Sequence, residues 1–373
     1  MMQQKGIQTI SHFYNFNALR FAAAFLVLLH HAESLRKDHG LFHLKDFGLF
    51  QNGANAVTFF FVLSGFLITY LLLKEQGKTA TISIKHFYLK RVLRIWPLYF
   101  LLVIIGVFIQ PLLVEWMHLP YKLPYSFSET WYFFVFFLPG MVTFYFGNHL
   151  LEPLWSIGVE ELFYLIWAPI FKFLKRIIFP VMLGIIGLKM LLLVAASHGW
   201  FNEETRYLIR ILQFESMALG GLAAYVIYYF GNHSFFQSKL RKALLFVMAL
   251  LALAIVFVHT KTFDDALFAT IIKSLVFALF LLLMGVKNQA TKVGEHKWLV
   301  YFGEISYGIY MYHLVVLTGL VELMKVLKIH PIVDTAIYFV LATGITIGVA
   351  ALSKATFENY FLKFKPKVLK STF

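Results

Sequence analysis

The chain contains no cysteine. Disulfide scaffolding, thiolate nucleophiles and cysteine-ligated metals are therefore excluded. Charge is scarce as well: Asp, Glu, Lys and Arg make up 14% of its 373 residues. A soluble protein of this length carries about a quarter, because its surface must be wetted. The acidic sign is the scarcer, 19 residues against 33 basic, which leaves a net charge of +14. A cleavable leader is missing too. "MMQQKGIQTISHFYNFN" has no such pattern, so the first apolar helix is expected to serve as an uncleaved insertion signal.

What is abundant is apolar. Hydrophobic residues make up 60% of the chain, and its mean hydropathy is +0.74. They fall in blocks near 16–33, 53–73, 95–117, 130–146, 154–171, 177–196, 207–230, 243–259, 264–286, 298–324 and 333–353. Most have the ~17–25 residues that span a ~30 Å hydrocarbon layer. The 42 Phe, 19 Tyr and 7 Trp supply lipid-facing bulk and interfacial belts. The expected fold is all-α, a polytopic membrane helix bundle forming one membrane-embedded domain over residues 1–373. No internal repeat and no long polar loop interrupts it.

Charge placement orients the bundle. Lys5, the stretches 74–94, 172–176, 239–242 and 287–297, and the tail from Lys354 hold 21 of the 33 basic residues. By the positive-inside rule this set is cytoplasmic. The +14 charge thus speaks of topology, and no nucleic-acid partner is expected. Parity then demands that 130–146 not cross. It is short and interrupted by Pro139-Gly140, so it reads as a broken or re-entrant segment, permitted only where protein or water satisfies its backbone. About ten transmembrane helices remain, with both termini cytoplasmic.

Several polar groups need a reason to lie in such blocks. "NALRFAAAFLVLLHHAESL" (17–35) carries Arg20 and His31 eleven residues apart. Eleven steps of 100° fall within about 20° of three full turns, so the two share a helix face about 16 Å apart along the axis. His30 points about 100° away. An interfacial anchor would explain Arg20 alone; a histidine inside a membrane helix more often lines a functional path. "FYLKRVLRIWPLYF" (87–100) places Arg91 and Arg94 at i and i+3. The plain alternative is lipid contact, but arginines so placed also match phosphate oxygens bidentately. "EPLWSIGVEELFYLIW" (152–167) carries Glu152, Glu160 and Glu161 around Trp155 and Ser156. Adjacent Glu160 and Glu161 cannot share a face, so at least one points inward, as a buried ion pair or as a site group. "GEISYGIYMYHLVV" (303–316) sets Ser306, Tyr310 and His313 along one side of a helix, for inter-helix bonding or for a cavity. Ser64-Gly65 in "FFFVLSGFLIT" reads as a close-packing site or a further lining group.

These stretches, in order over roughly residues 12–355, resemble the acyltransferase 3 family of bacterial integral membrane acyltransferases. The family's first helix carries Arg or Lys, ten residues and then His, matched by Arg20 and His31. "FFFVLSGFLIT" follows. "FYLKRVLRIWP" resembles the family's Arg-x-x-Arg ahead of a Pro, and "EPLWSIGVEELFYLIW" its Pro-Leu-Trp-Ser…Val-Glu-Glu…Phe-Tyr pattern. "SYGIYMYH" resembles a later element. Asn17 departs from the Asp that many members place before the Leu-Arg pair.

The resemblance implies transfer of an acyl group, usually acetyl, from cytoplasmic acyl-CoA to a hydroxyl of a cell-surface glycan or its lipid-linked precursor. It implies a multi-pass enzyme of the cytoplasmic (inner) membrane, with acyl-CoA as co-substrate, no permanently bound cofactor and no metal. On that basis His31 is the expected base, acting directly or by way of an acyl-His intermediate, Glu160 (with Glu161 the alternative) orients or charges it, and Arg20 neutralises a carboxylate or the developing oxyanion. Arg91 and Arg94 hold the CoA phosphates. Ser64, Trp155, Ser156, Glu161, Tyr310 and His313 line the acceptor side. The soluble C-terminal esterase-like domain of some members is not expected. The rival reading is a transporter or flippase for a glycolipid or small anion, which shares the buried charges and the broken segment. The lack of repeated halves and the convergence of basic residues on one mouth speak against it.

Overall fold

A computed structural model describes residues 10–118, 123–258, 266–286, 293–327 and 330–365. Every regular element among them is helical: α1 Phe16–Asp38, α2 Gly53–Thr79, α3 Ile84–Trp116, α4 Phe127–Val135, α5 Pro139–Phe146, α6 Leu154–Phe173, α7 Ile178–Ser197, α8 Glu203–Ile211, α9 Phe214–Phe230, α10 Lys239–Phe257, α11 Ala269–Met284, α12 Lys297–Glu304, α13 Ser306–Leu327, α14 Pro331–Ser353 and α15 Asn359–Leu362. Nine apolar helical stretches are long enough to cross a membrane, counting α8–α9 as one and α14–α15 as one. The shorter apolar α11, 16 residues in the described part, lies where the 264–286 block was expected to cross.

The helices start where the sequence offers caps. Ser126 and Glu129 form a reciprocal capping box on α4, and Asn202 caps α8 by accepting from the Thr205 N–H at 2.9 Å. The segment expected to be broken is broken. Phe137 adopts a left-handed φ of 57° between α4 and α5, and Pro139 opens the second piece. Two blocks expected to be continuous are not. The 298–324 block splits at Ile305 into α12 and α13, and the 207–230 block splits at Leu212–Gln213 into α8 and α9. The second split is held by Lys189, whose ammonium bonds the Ile209 and Leu212 carbonyls and lies 3.4 Å from buried Glu215. These carbonyls have lost their helical partners, and a buried cation from α7 replaces them.

The most intimate contact in the bundle is α2 on α9. Gly65 lies against the Met217 backbone and Gly220 against the Val62 backbone, so neither position has room for a β-carbon. α1 packs on α2, α12 and α13, and α3 on α6, α13 and α15. The core these helices enclose includes Val27, Phe66, Leu98, Tyr99 and Trp167.

The connection between α5 and α6 holds a titratable ring. His149 is 5% exposed. Its Nδ1 accepts from the Leu151 N–H at 3.1 Å and its Nε2 meets Thr143 Oγ1 at 3.2 Å, so the neutral ring fits its partners. Burial lowers its pKa to about 4. Between pH 6.5 and 4 the unfolded chain therefore takes up a proton that the native state refuses. Stability rises with pH across that window and falls by up to about 3 kcal/mol as acid is added. Melting of detergent-purified protein at pH 7.5 and pH 5 should show this acid loss, and His149→Gln should flatten it; an unchanged slope would contradict the assignment.

Candidate active site

Polar side chains from α1, α2, α3, α6 and α13 converge at the basic end of the bundle. They line two adjoining cavities, of about 240 Å³ and about 110 Å³. Arg20, Ser64, Arg91, Arg94 and Tyr164 line both. The outer cavity is roofed by residues 10–13, a strap ahead of α1. Lys74 donates to the Ile10 carbonyl at 3.0 Å, and His12 meets Glu295 at 3.0 Å. The inner cavity reaches Ser156, Glu160, Ser306, Tyr307 and Tyr310.

Arg91 and Arg94 stand on one face of α3 because of their i, i+3 spacing. The Arg91 guanidinium lies 6.0 Å over the Tyr164 ring, and its Nε is buried without a hydrogen-bond partner. An orphaned donor beside two further arginines is a site prepared for an anion.

Glu160 and Glu161 part ways. Ser64 donates to Glu160 Oε1 at 2.8 Å, Tyr164 donates to Oε2 at 3.0 Å, and the two hydroxyls lie 3.1 Å apart. Glu161 faces α3, where Trp96 Nε1–H donates to its Oε2 at 2.7 Å, and it lines neither cavity. Tyr164 belongs to the site although the sequence reading passed over it; its place one helical turn after Glu160 was the available signal.

The inner cavity ends at a hydroxyl pair. Ser156 Oγ and Tyr310 Oη are 2.7 Å apart, and Tyr310 also donates to the Pro153 carbonyl at 3.0 Å. The Tyr310 ring centroid is 5.7 Å from that of His313, which in turn is 5.1 Å from that of His31. His313 is fully buried. Its Nδ1 bonds the Tyr310 carbonyl, an acceptor only, so Nδ1 carries the proton and Nε2 is bare. That bare Nε2 has no hydrogen-bond partner among the described residues.

Several expectations change, among them Glu161 and His313, which were expected to line the acceptor side and line neither cavity. Glu160 does not orient His31: its hydrogen bonds go to Ser64 and Tyr164, and the His31 ring meets His30 and His313. Of the two roles expected of Arg20, the oxyanion role does not fit, since Arg20 belongs to the arginine mouth about 16 Å along α1 from His31; it shares the inner cavity with the Glu160 carboxylate. Trp155 lines neither cavity and packs edge-on against Phe61 at 5.8 Å. Ser64, Ser156 and Tyr310 do line the cavities. His30 is set apart as the helical arithmetic requires, with Nδ1 3.0 Å from the Phe50 carbonyl. Among the described residues no three His, Asp or Glu converge on a metal-binding geometry.

A bundle of apolar helices around adjoining cavities lined by three arginines and a buried carboxylate defines a polytopic membrane protein with an internal polar site. The chain belongs to the acyltransferase 3 family, whose acyltransferase-domain profile matches residues 13–353. It is 27% identical over 361 residues to the peptidoglycan O-acetyltransferase OatA of Listeria monocytogenes, covering 87% of this chain and 55% of that one. It is 28% identical over 189 residues to the O-acetyltransferase OatA of Staphylococcus aureus, covering 47% of this chain and 30% of that one. The chain thus spans about half the length, or less, of these relatives. No solved structure matches it.

Proposed function

We propose that the protein is an O-acetyltransferase of the cytoplasmic membrane that carries an acetyl group from cytoplasmic acetyl-CoA to a hydroxyl of a cell-wall glycan of the peptidoglycan type. The observation that supports this most is the order of groups along the polar path. Three arginines at the basic end lead through the Ser64–Glu160–Tyr164 triangle to the Ser156–Tyr310 pair that ends the inner cavity, and the His313 and His31 rings pack in turn behind Tyr310. A donor with a phosphorylated head and a thioester at the end of a long arm fits that order: the head stays at the arginines and the thioester reaches inward.

At the inner end, His31 takes the proton from the acceptor hydroxyl as its oxygen attacks the thioester carbonyl. The C–S bond breaks, the acetyl ester forms, and the proton passes from the imidazolium to the CoA thiolate. His313, held in one tautomer by the Tyr310 carbonyl, packs its ring against that of His31 and positions it. Glu160 balances the arginines at the neck of the cavity, where an unpaired cation cluster would be costly. The test is transfer of labelled acetyl from acetyl-CoA to a peptidoglycan fragment by purified protein in nanodiscs. Base-labile label on the glycan supports the reading. Flux of a glycolipid or anion through proteoliposomes without donor, and no ester formed, would assign the chain to transport instead.

A further inference from the structure

Arg20 lies about 16 Å along α1 from His31, but another cation is brought to the level of that ring. It comes from the loop between α1 and α2, at the end of α1 opposite the arginine mouth. Two fully buried charged side chains tie this loop to the helix. Arg36 donates from Nε to the Phe42 carbonyl at 2.9 Å, and its terminal nitrogens donate to Asp334 Oδ2 and Thr335 Oγ1 on α14, each at 2.8 Å. Glu33 accepts the Leu44 N–H and lies 3.8 Å from Arg36. Charges buried so completely are costly unless paired, so a loop that completes their pairing is held to one course. Lys45 follows Leu44, and its ammonium donates to Ser34 Oγ. Ser34 gives its own proton to the His30 carbonyl at 2.8 Å, which leaves its oxygen to receive the ammonium. Ser34 stands three residues beyond His31 on the continuous α1. Side chains at that spacing are neighbours, about 5–6 Å apart at Cβ. The His31 ring accordingly lies in the field of Lys45. An ammonium has three N–H donors, and Ser34 takes one. Asp38, Glu33 and Glu152 share the field of Lys45, but among the described residues none forms an ion pair with it.

We propose that Lys45 is a catalytic residue: from its seat on Ser34 it stabilises the oxyanion formed at His31, the role that Arg20 is too distant to fill. The proposal rests on the acetyl-transfer reading above and adds a group to it. As the acceptor oxygen bonds to the thioester carbon, its proton moves to His31 and the carbonyl π pair moves onto the carbonyl oxygen. That oxygen is negative until the C–S bond breaks and the pair returns to re-form the carbonyl. Lys45 stays protonated throughout and donates one N–H to it. The loop is fixed before substrate arrives, so this donor needs no reorganisation during the reaction, the condition under which such donors are worth most.

Because the chain contains no cysteine, Lys45→Cys introduces a single thiol. In the full chain in nanodiscs, kcat for transfer of labelled acetyl to a peptidoglycan fragment should fall by about a hundredfold or more, the usual worth of one oxyanion donor. Binding of acetyl-CoA should be unchanged, since the arginine mouth lies at the other end of α1. Alkylation with 2-bromoethylamine then rebuilds an ammonium at the length of lysine, with sulfur in place of Cγ, and the intact mass confirms the addition. Most of the lost kcat should return. Iodoacetamide, which puts a neutral amide on the same thiol, should return none. The proposal is overturned if Lys45→Cys transfers at the wild-type rate. It is overturned equally by a loss that the confirmed aminoethyl adduct does not reverse, which would make Lys45 a structural post of the loop. A raised KM for the glycan with kcat unchanged would make it a grip on the acceptor instead. Absence of ester formation by wild type would overturn the acetyl-transfer reading itself, a result distinct from all of these.

Discussion

His31→Ala is expected to reduce acetyl transfer by about a thousandfold, the usual worth of a positioned general base. Binding of acetyl-CoA should change by less than about twofold, because the arginine mouth lies about 16 Å away along α1. The split between the two readouts is the informative part. A substitution that merely loosened the helix packing would lower both together, and would lower melting temperature as well. His30→Ala gives the matched control. Its ring touches His31 edge-on but hydrogen-bonds the Phe50 carbonyl, so most of the transfer should survive its loss. His313→Gln should fall between the two, since it removes the ring that His31 rests on and leaves His31 itself. Transfer by His31→Ala near the wild-type rate, with the protein folded and the donor bound, would remove His31 from the chemistry.

Much of the bundle could be read from local pattern. Blocks of membrane-spanning length located the crossings, and charge asymmetry with parity identified 130–146 as the segment that breaks at Pro139. Helical arithmetic placed Arg20 and His31 on one face and turned His30 away, and i, i+3 spacing paired Arg91 with Arg94. What escaped depends on contacts that no local spacing encodes. His31 and His313 are 282 positions apart in the chain and share a ring contact of 5.1 Å. The family resemblance made Glu160 the expected partner of His31, by its position in the motif. The fold sets them at different depths and gives Glu160 to Ser64 on α2. The break at Leu212–Gln213 was hidden because its cause, Lys189, sits on another helix. The strap at residues 10–13 drew no structural expectation from the sequence, and only its bonds to Lys74 and Tyr70 make it a roof. In each case the missing information was tertiary.

The same depth ordering makes the arginine pair a test of binding rather than of chemistry. Arg91→Ala/Arg94→Ala is expected to raise the apparent KM for acetyl-CoA by about a hundredfold or more. Each guanidinium lost from a phosphate in a partly buried mouth removes a charge-assisted contact of about 1.5–3 kcal/mol, and every 1.4 kcal/mol is tenfold. At saturating donor kcat should recover to within about fivefold of wild type, because the thioester still reaches the same histidine pair. Lysine at both positions should restore only part of the affinity: the charge returns, but the planar fork that grips two oxygens at once does not. Arg20→Ala belongs to the same class, since it lines both cavities with the pair, and it should also raise KM more than it lowers kcat. Initial rates over a donor titration decide the matter. A fall in kcat with KM unchanged would place the arginines at the reacting carbonyl, at odds with the 16 Å of helix between that level and His31.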